Sequence, residues 1–198
     1  KDNNNNDDDD DANNDNVGCT VVVQGGLAPV GVMLAARNAQ TVSKLILTSP
    51  PTFLDMTTAV PQRDLEWNYN FLRSKMYGPI AFAVLETRQI VQFFSNLFLF
   101  KDECDDEWLD TIDDATSEEA RTPIEAFNAG LLQHRSFEEE LKSLEQKTAI
   151  VEGDSDKRQA DRVQYSKDMK RCHNITIQGC NVLPWENPIE MMELLRTF

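Results

Sequence analysis

The sequence predicts an α/β fold, a mostly parallel sheet interrupted by a helical insertion. Three observations predict it. Short β-branched or apolar runs recur at 19–23, 42–48, 148–151 and 174–177, the lengths of buried strands. Helical spacing separates the first run from the second and the third from the fourth, giving two βαβ patterns. Between them, from about 61 to 144, the pattern is helical throughout. The order β-α-β, helical insertion, β-α-β-α is that of an α/β protein with an insert.

Composition bounds the function. The chain has 198 residues, 40% of them hydrophobic, enough for the core of one domain of ordinary size. Asp and Glu number 34 against 19 Lys and Arg, a net charge of −15. Neutralising phosphates takes clustered cations, so this balance argues against nucleic-acid binding and against a polybasic membrane anchor. No run of about 18 uncharged apolar residues is present to span a bilayer. The first residue is Lys, so a processed chain or one cut from something longer is expected, with no signal or transit peptide legible. Cys19, Cys104, Cys172 and Cys180 form no C-x-x-C pair. They read as reduced, mostly buried thiols, with no structural zinc site at these spacings. No metal or cofactor is called for.

Residues 1–16 hold seven Asp, seven Asn and one Lys. Nothing apolar offsets the ordering entropy, so a disordered tract is expected. The Gly and terminal Glu of an EF-hand loop are missing, which makes a solvated spacer the reading over calcium binding. The composition changes at Val17. The first strand ends in Gln24-Gly25-Gly26-Leu27-Ala28-Pro29, a tight turn, followed by a helix over 30–39 in which Ala35 and Ala36 allow close packing. The strand 42–48 is stopped by Ser49-Pro50-Pro51, completing a right-handed crossover.

In the insertion, Leu65, Tyr69 and Leu72 mark a helix over 64–76. Residues 79–100 hold eleven large apolar side chains from Ile80 to Leu99, broken by Glu86, Arg88 and Gln92. They read as one or two mostly buried helices, the alternative being an exposed contact patch. An acidic stretch follows over 101–119, then helices through Ile124, Phe127, Leu131 and Leu132 and over 137–144. The third strand closes in Glu152-Gly153-Asp154-Ser155-Asp156, and a helix is expected over about 158–170. After the last strand, Pro188 opens a final helix carrying Ile189, Met192 and Leu195. The expected division is a tract at 1–16, a core at 17–60 and 145–198, and an inserted helical unit at 61–144.

The segment VVVQGGLAPVGVMLAARNAQTVSKLILTSPP resembles the nucleophile elbow, helix and next strand of the α/β-hydrolase superfamily. TAIVEGDSD resembles the strand and turn that carry that family's acid, and GCNVLPWENPIEMMELL the segment that carries its His. The insertion then corresponds to the helical cap. The resemblance implies a catalytically degenerate member. It puts Gly26 at the nucleophile position, where no oxygen is available to attack a carbonyl. It puts Asn181 at the His position, where an amide cannot act as general base. Asp156, or alternatively Asp154, stands at the acid position. Gln24 and Ala28 replace the two flanking elbow glycines, and Gly26 is expected to relieve the strain of the turn. The family normally supplies further strands and an oxyanion loop before the elbow, so only the C-terminal half of the sheet is visible here. An upstream segment, or a partner, is expected to cover the open edge of the first strand. The segment Phe93-Phe94-Ser95-Asn96-Leu97-Phe98 is similar to cap sequences of plastid and cyanobacterial relatives.

Each remaining candidate has a plainer reading. His134 in the cap and His173 near the last strand are the only histidines and default to structural or solvent roles. Ser49 and Ser155 lack a base at matching spacing, and Ser49, preceding Pro50, is expected in extended geometry. Cys180 has no visible group to lower its pKa. Trp67 and Trp108 read as packing residues and Trp185 as a loop anchor. The functional expectation is a non-catalytic accessory or scaffolding subunit of a larger protein assembly, to be sought first in a photosynthetic membrane complex. It would dock there peripherally, in the chloroplast, with the cytoplasm as the alternative. The rival readings are a hydrolase with relocated catalytic residues and a small-molecule receptor using the cap pocket.

Overall fold

A computed structural model describes residues 18–115 and 121–198 of the chain; the Asn/Asp tract at 1–16 lies outside them. Strand β1 (Cys19–Gln24) leads through a short turn into α1 (Ala28–Arg37), β2 (Val42–Thr48) and α2 (Phe53–Thr57). The insertion comprises α3 (Gln62–Leu72), α4 (Gly78–Leu85), α5 (Arg88–Phe94), a π-helical turn at Ser95–Leu99, α6 (Asp106–Ala115), α7 (Arg121–Asn128) and α8 (Glu138–Ser143). The chain then returns to β3 (Lys147–Gly153), α9 (Gln159–Arg162), α10 (Gln164–Asp168), β4 (Cys172–Ile177), α11 (Leu183–Glu186) and α12 (Pro188–Thr197). The four strands form one sheet in the order β1-β2-β3-β4, parallel throughout.

Both faces of the sheet are covered, as a parallel sheet requires. Leu45, Leu47 and Ile150 point to one face, where Ala28, Val32 and Ala35 of α1 meet Phe137, Leu141 and Tyr165. The small side chains of α1 let its backbone lie close to β1 and β2. Ile46, Ala149 and Val151 point to the other face, under Leu183 of α11 and Met191 and Leu194 of α12. Each fully buried Leu or Ile there contributes about 1.5–3 kcal/mol. The edge of β1 away from β2 has no strand partner among the described residues, and Val22 is exposed beside it.

Two expectations are corrected. The segment 79–100 is not mostly buried. In α4 only Gly78 is buried, and α5 buries none of its residues. Trp67, expected to pack, is 68% exposed, with Ile80 at 64% and Phe98 at 55%. The physical reason is that α3, α4 and α5 lie side by side, with no further described layer on their outer faces. The second correction is the helix expected over 158–170, which divides into α9 and α10. The break falls where the Arg162 carbonyl accepts a hydrogen bond from Asn174 Nδ2 at 3.0 Å. The structure adds the short α2 and, within the acidic stretch, α6. Thr52 and Asp55 start α2 by capping each other's backbone N–H groups.

Candidate functional site

The C-terminal ends of β1 and β2 open into a cleft of about 730 Å³ between the sheet and the cap. Gly25, Gly26, Ser49, Pro50, Arg158, Arg162 and Asn181 line it, with Phe127 reaching in from α7. Such a crevice beyond the carboxyl ends of the strands is where open α/β sheets bind ligands.

The turn after β1 is sharpest one residue earlier than the motif places it. Gly25 has φ +55°, and Gly26 does not take the left-handed conformation. The reason lies in Gln24, which stays in the strand because its side chain is held at both ends. Its Oε1 accepts from Thr48 Oγ1 at 2.6 Å, and its Nε2 donates to the Asn181 carbonyl at 2.5 Å. The chain must leave the sheet at the next residue, and Gly takes that conformation freely. Both elbow candidates are therefore glycines. A Cβ on Gly26 would also lie 2.5 Å from the ring of Phe127.

The Asn181 amide is used structurally. Its Nδ2 donates to the Phe98 carbonyl at 3.0 Å, while its backbone N–H donates to the Leu99 carbonyl at 2.9 Å. Glu186 extends this clamp, accepting from the backbone N–H groups of Lys101 at 2.7 Å and Cys180 at 2.8 Å. Trp185 packs on Trp108 at 5.3 Å and donates from Nε1 to Asp105. The loop that resembles a catalytic His segment thus fastens the root of the cap to the sheet.

Asp156 is buried and ion-paired with the equally buried Arg162. Arg162 Nε also donates to the Pro50 carbonyl at 2.6 Å, and Asp156 Oδ1 accepts from the Arg158 N–H at 2.9 Å. The alternative acid, Asp154, is exposed. The Gly179 N–H, Lys101 and Ser155 bond its carboxylate and hold it below the usual range. Glu152, beside this cluster, is pushed up by burial against the pull of Arg162, and its Oε2 is buried without a partner. Arg158 pairs with Asp55 at 2.6 Å across the cleft rim. Burial opposes ionisation of Asp55, but Thr52 and Arg158 outweigh it and lower its pKa.

Neither histidine lines the cleft. His134 is exposed beside Phe137, and His173 is exposed on β4. The Cys180 thiol is pushed up by burial and by Asp156 and Glu186, which is the opposite of activation. Ser155 hydrogen-bonds Asp154 at 3.0 Å. Ser49 differs from expectation. Instead of extended geometry it has φ +43°, held by its N–H bond to the Val151 carbonyl at 2.7 Å. A non-glycine residue in this conformation is strained by about 1–3 kcal/mol. Its Oγ reaches the Cys180 carbonyl at 3.4 Å. The sequence gives no sign of Arg162 at the site, of Gln24 as a bridge between Thr48 and Asn181, or of Phe127 reaching Gly26. Each acts through a partner 6 to 157 residues away, and no local pattern announces such a contact.

Solved structures share this architecture. One is a probable hydrolytic enzyme from Pseudomonas aeruginosa, with a TM-score of 0.66 and 13% identity over 90% of this chain and 62% of that one. The chain has the α/β-hydrolase fold. An esterase from Thermogutta terrifontis has a TM-score of 0.62 and 13% identity over 90% of this chain and 63% of its own. A haloalkane dehalogenase from Agrobacterium tumefaciens has a TM-score of 0.59 and 15% identity over 89% and 65%. The chain therefore spans slightly under two thirds of the length of these three α/β-hydrolase-fold neighbours. No protein-family model and no curated protein matches the sequence. No described helix is long and apolar enough to cross a membrane.

Proposed function

We propose that this chain is a non-catalytic α/β-hydrolase-fold protein serving as an accessory or scaffolding subunit of a larger assembly. The assembly nominated by the resemblance of residues 93–98 is a photosynthetic membrane complex, approached from its surface. The observation that carries the reading is the rewiring of the relay positions. Nucleophilic catalysis needs an activated nucleophile, a base within hydrogen-bond reach and a group that orients the base. Here the turn offers glycine, the His position offers an amide bonded to Phe98, and the acid is bound to Arg162.

The native size of the particle containing this chain, taken under mild solubilisation, tests the proposal. A large particle with stable partners supports it, and a free monomer overturns it. Loss of activity is tested separately with p-nitrophenyl esters, where no turnover above buffer is expected. The double variant Gly25→Ser/Asn181→His, with Ser at the sharp turn in place of Gly26 of the sequence alignment, probes the vestigial site, and a gain of ester hydrolysis would support it.

A second reading is favoured by one observation. The cleft remains open rather than filled, and it contains the strained Ser49. Strained residues cluster at ligand sites. A receptor for a small polar molecule, or a hydrolase with relocated residues, fits that feature. A thermal shift with a small-molecule library, abolished by Ser49→Ala, would favour it over the scaffold.

A further inference from the structure

The cap carries a second, larger hollow, which shares Leu99 with the cleft. It is a trough of about 1050 Å³ between α3, α4, α5, α6 and α7. Its walls include Trp67, Phe71, Leu85, Phe94, Phe98 and Ile112. Trp67 and Phe71 stack in parallel at 5.7 Å, and Phe94 and Phe98 at 6.0 Å. The one charged residue among its described walls is acidic, Glu86. On α6, which supplies Trp108, Thr111 and Ile112 to the walls, the neighbouring positions are the acids Asp106, Glu107, Asp110 and Asp113, three of them sharing Arg88. By composition the cap is acidic, with 17 acidic and eight basic residues over 61–144.

We propose that this trough is the docking site for a basic amphipathic α-helix of a protein partner. The proposal rests on the scaffold reading and names its partner chemistry. Four physical arguments select that occupant. A small apolar ligand needs most of its surface enclosed, whereas Trp67, Phe71, Leu85 and Phe98 all remain substantially exposed. An added strand needs a free sheet edge, and the trough is walled by helices. A bilayer is flat and cannot reach the floor of a concave trough, and anionic lipid would be repelled by the acidic cap. A second copy would set two acidic caps against each other. An amphipathic helix leaves its polar back in water, lays an i, i+3, i+7 apolar stripe on the aromatic floor, and brings Lys or Arg to Glu86 and the acids of α6.

The test uses the full chain and a fluorescein-labelled synthetic helix of about four turns, with Leu on one face and Lys on the other. Anisotropy should show micromolar binding that weakens several-fold from low to high salt, with a change in Trp fluorescence. Leu85→Lys and Phe71→Ser, both at exposed positions, should each weaken binding by about tenfold or more. Val30→Lys, at an exposed position of α1 outside the trough walls, should leave binding unchanged. Circular dichroism checks that each variant is folded. Equal binding of a Glu-for-Lys helix or of a scrambled Leu/Lys peptide would overturn the proposal. So would unchanged binding in both trough variants. Phosphatidylcholine vesicles that bind in a Leu85-dependent manner would point to membrane and overturn it too. A large native particle that persists in Leu85→Lys leaves the scaffold standing and removes the trough as its contact. A free monomer that still binds the Lys helix removes the scaffold and keeps the trough.

Discussion

At the scale of single residues, the buried cluster under β3 sets the sharpest expectations. Glu152 is buried on β3 with Oε2 unpartnered, and burial raises its pKa from the ordinary 4.5. A carboxyl raised in the folded state supports the fold fully when protonated, and that support is lost as pH rises through its folded pKa. Glu152→Gln should therefore stabilise the protein by about 1–3 kcal/mol near neutral pH. The gain should vanish below about pH 4, where the carboxyl is protonated in both states. Urea unfolding across pH checks this, and a pH-independent difference would refute it. Asp156 and Arg162 present the opposite case. Arg162→Met leaves a buried carboxylate without its cation and should destabilise by about 3–5 kcal/mol. Adding Asp156→Asn should recover most of that loss, as a double-mutant cycle would measure. The candidate site was only half legible at this scale. Gly26, Asn181 and Asp156 could be found from their flanking segments. The shift of the strained turn to Gly25 could not, because it depends on Gln24 being held by Thr48 and Asn181.

At the scale of elements, the ends of β3 and β4 meet with almost no space. A Cβ on Gly153 would lie 2.3 Å from the carbonyl oxygens of Gly179 and Cys180, both of them backbone atoms. Neither can rotate away, so Gly153→Ala should destabilise by about 3 kcal/mol, read as a fall in urea midpoint with unchanged slope. The capping box of α2 is a smaller contribution. Thr52→Ala removes the acceptor of the Asp55 N–H and one contact of Arg158, and should cost about 1 kcal/mol. Strand positions were legible because four β-branched or apolar runs lie between clear breakers. The helices of the insertion were legible as helices but not as buried or exposed. The apolar residues of α4 and α5 have the composition of core, and composition alone does not say whether a facing layer exists.

For the whole molecule, charge and open surface dominate. A net charge of −15 destabilises the compact state by self-repulsion, which salt screens. The Tm should rise between about 10 mM and about 0.5 M NaCl. A fall would show that ion pairs such as Arg88 with Asp106, Asp110 and Asp113 outweigh the repulsion. That outcome is disfavoured because exposed pairs contribute little each. The edge of β1, without a strand partner among the described residues, and the exposed cap aromatics are two separate surfaces, and occupation of one does not require the other.

The sequence by itself determined the fold class, the strand order of appearance, the helical insertion and the candidates Gly26, Asp156 and Asn181. These follow from local periodicity, breakers and side-chain chemistry, which are properties of contiguous residues. Only the tertiary structure decided where the strained turn falls, that Asp156 faces Arg162, that Asn181 fastens the cap, and that the cap leaves its aromatics open. Each of those depends on contacts between segments far apart in the chain. The hydrophobic effect draws apolar residues together without direction, so their burial depends on which distant surfaces arrive to meet them.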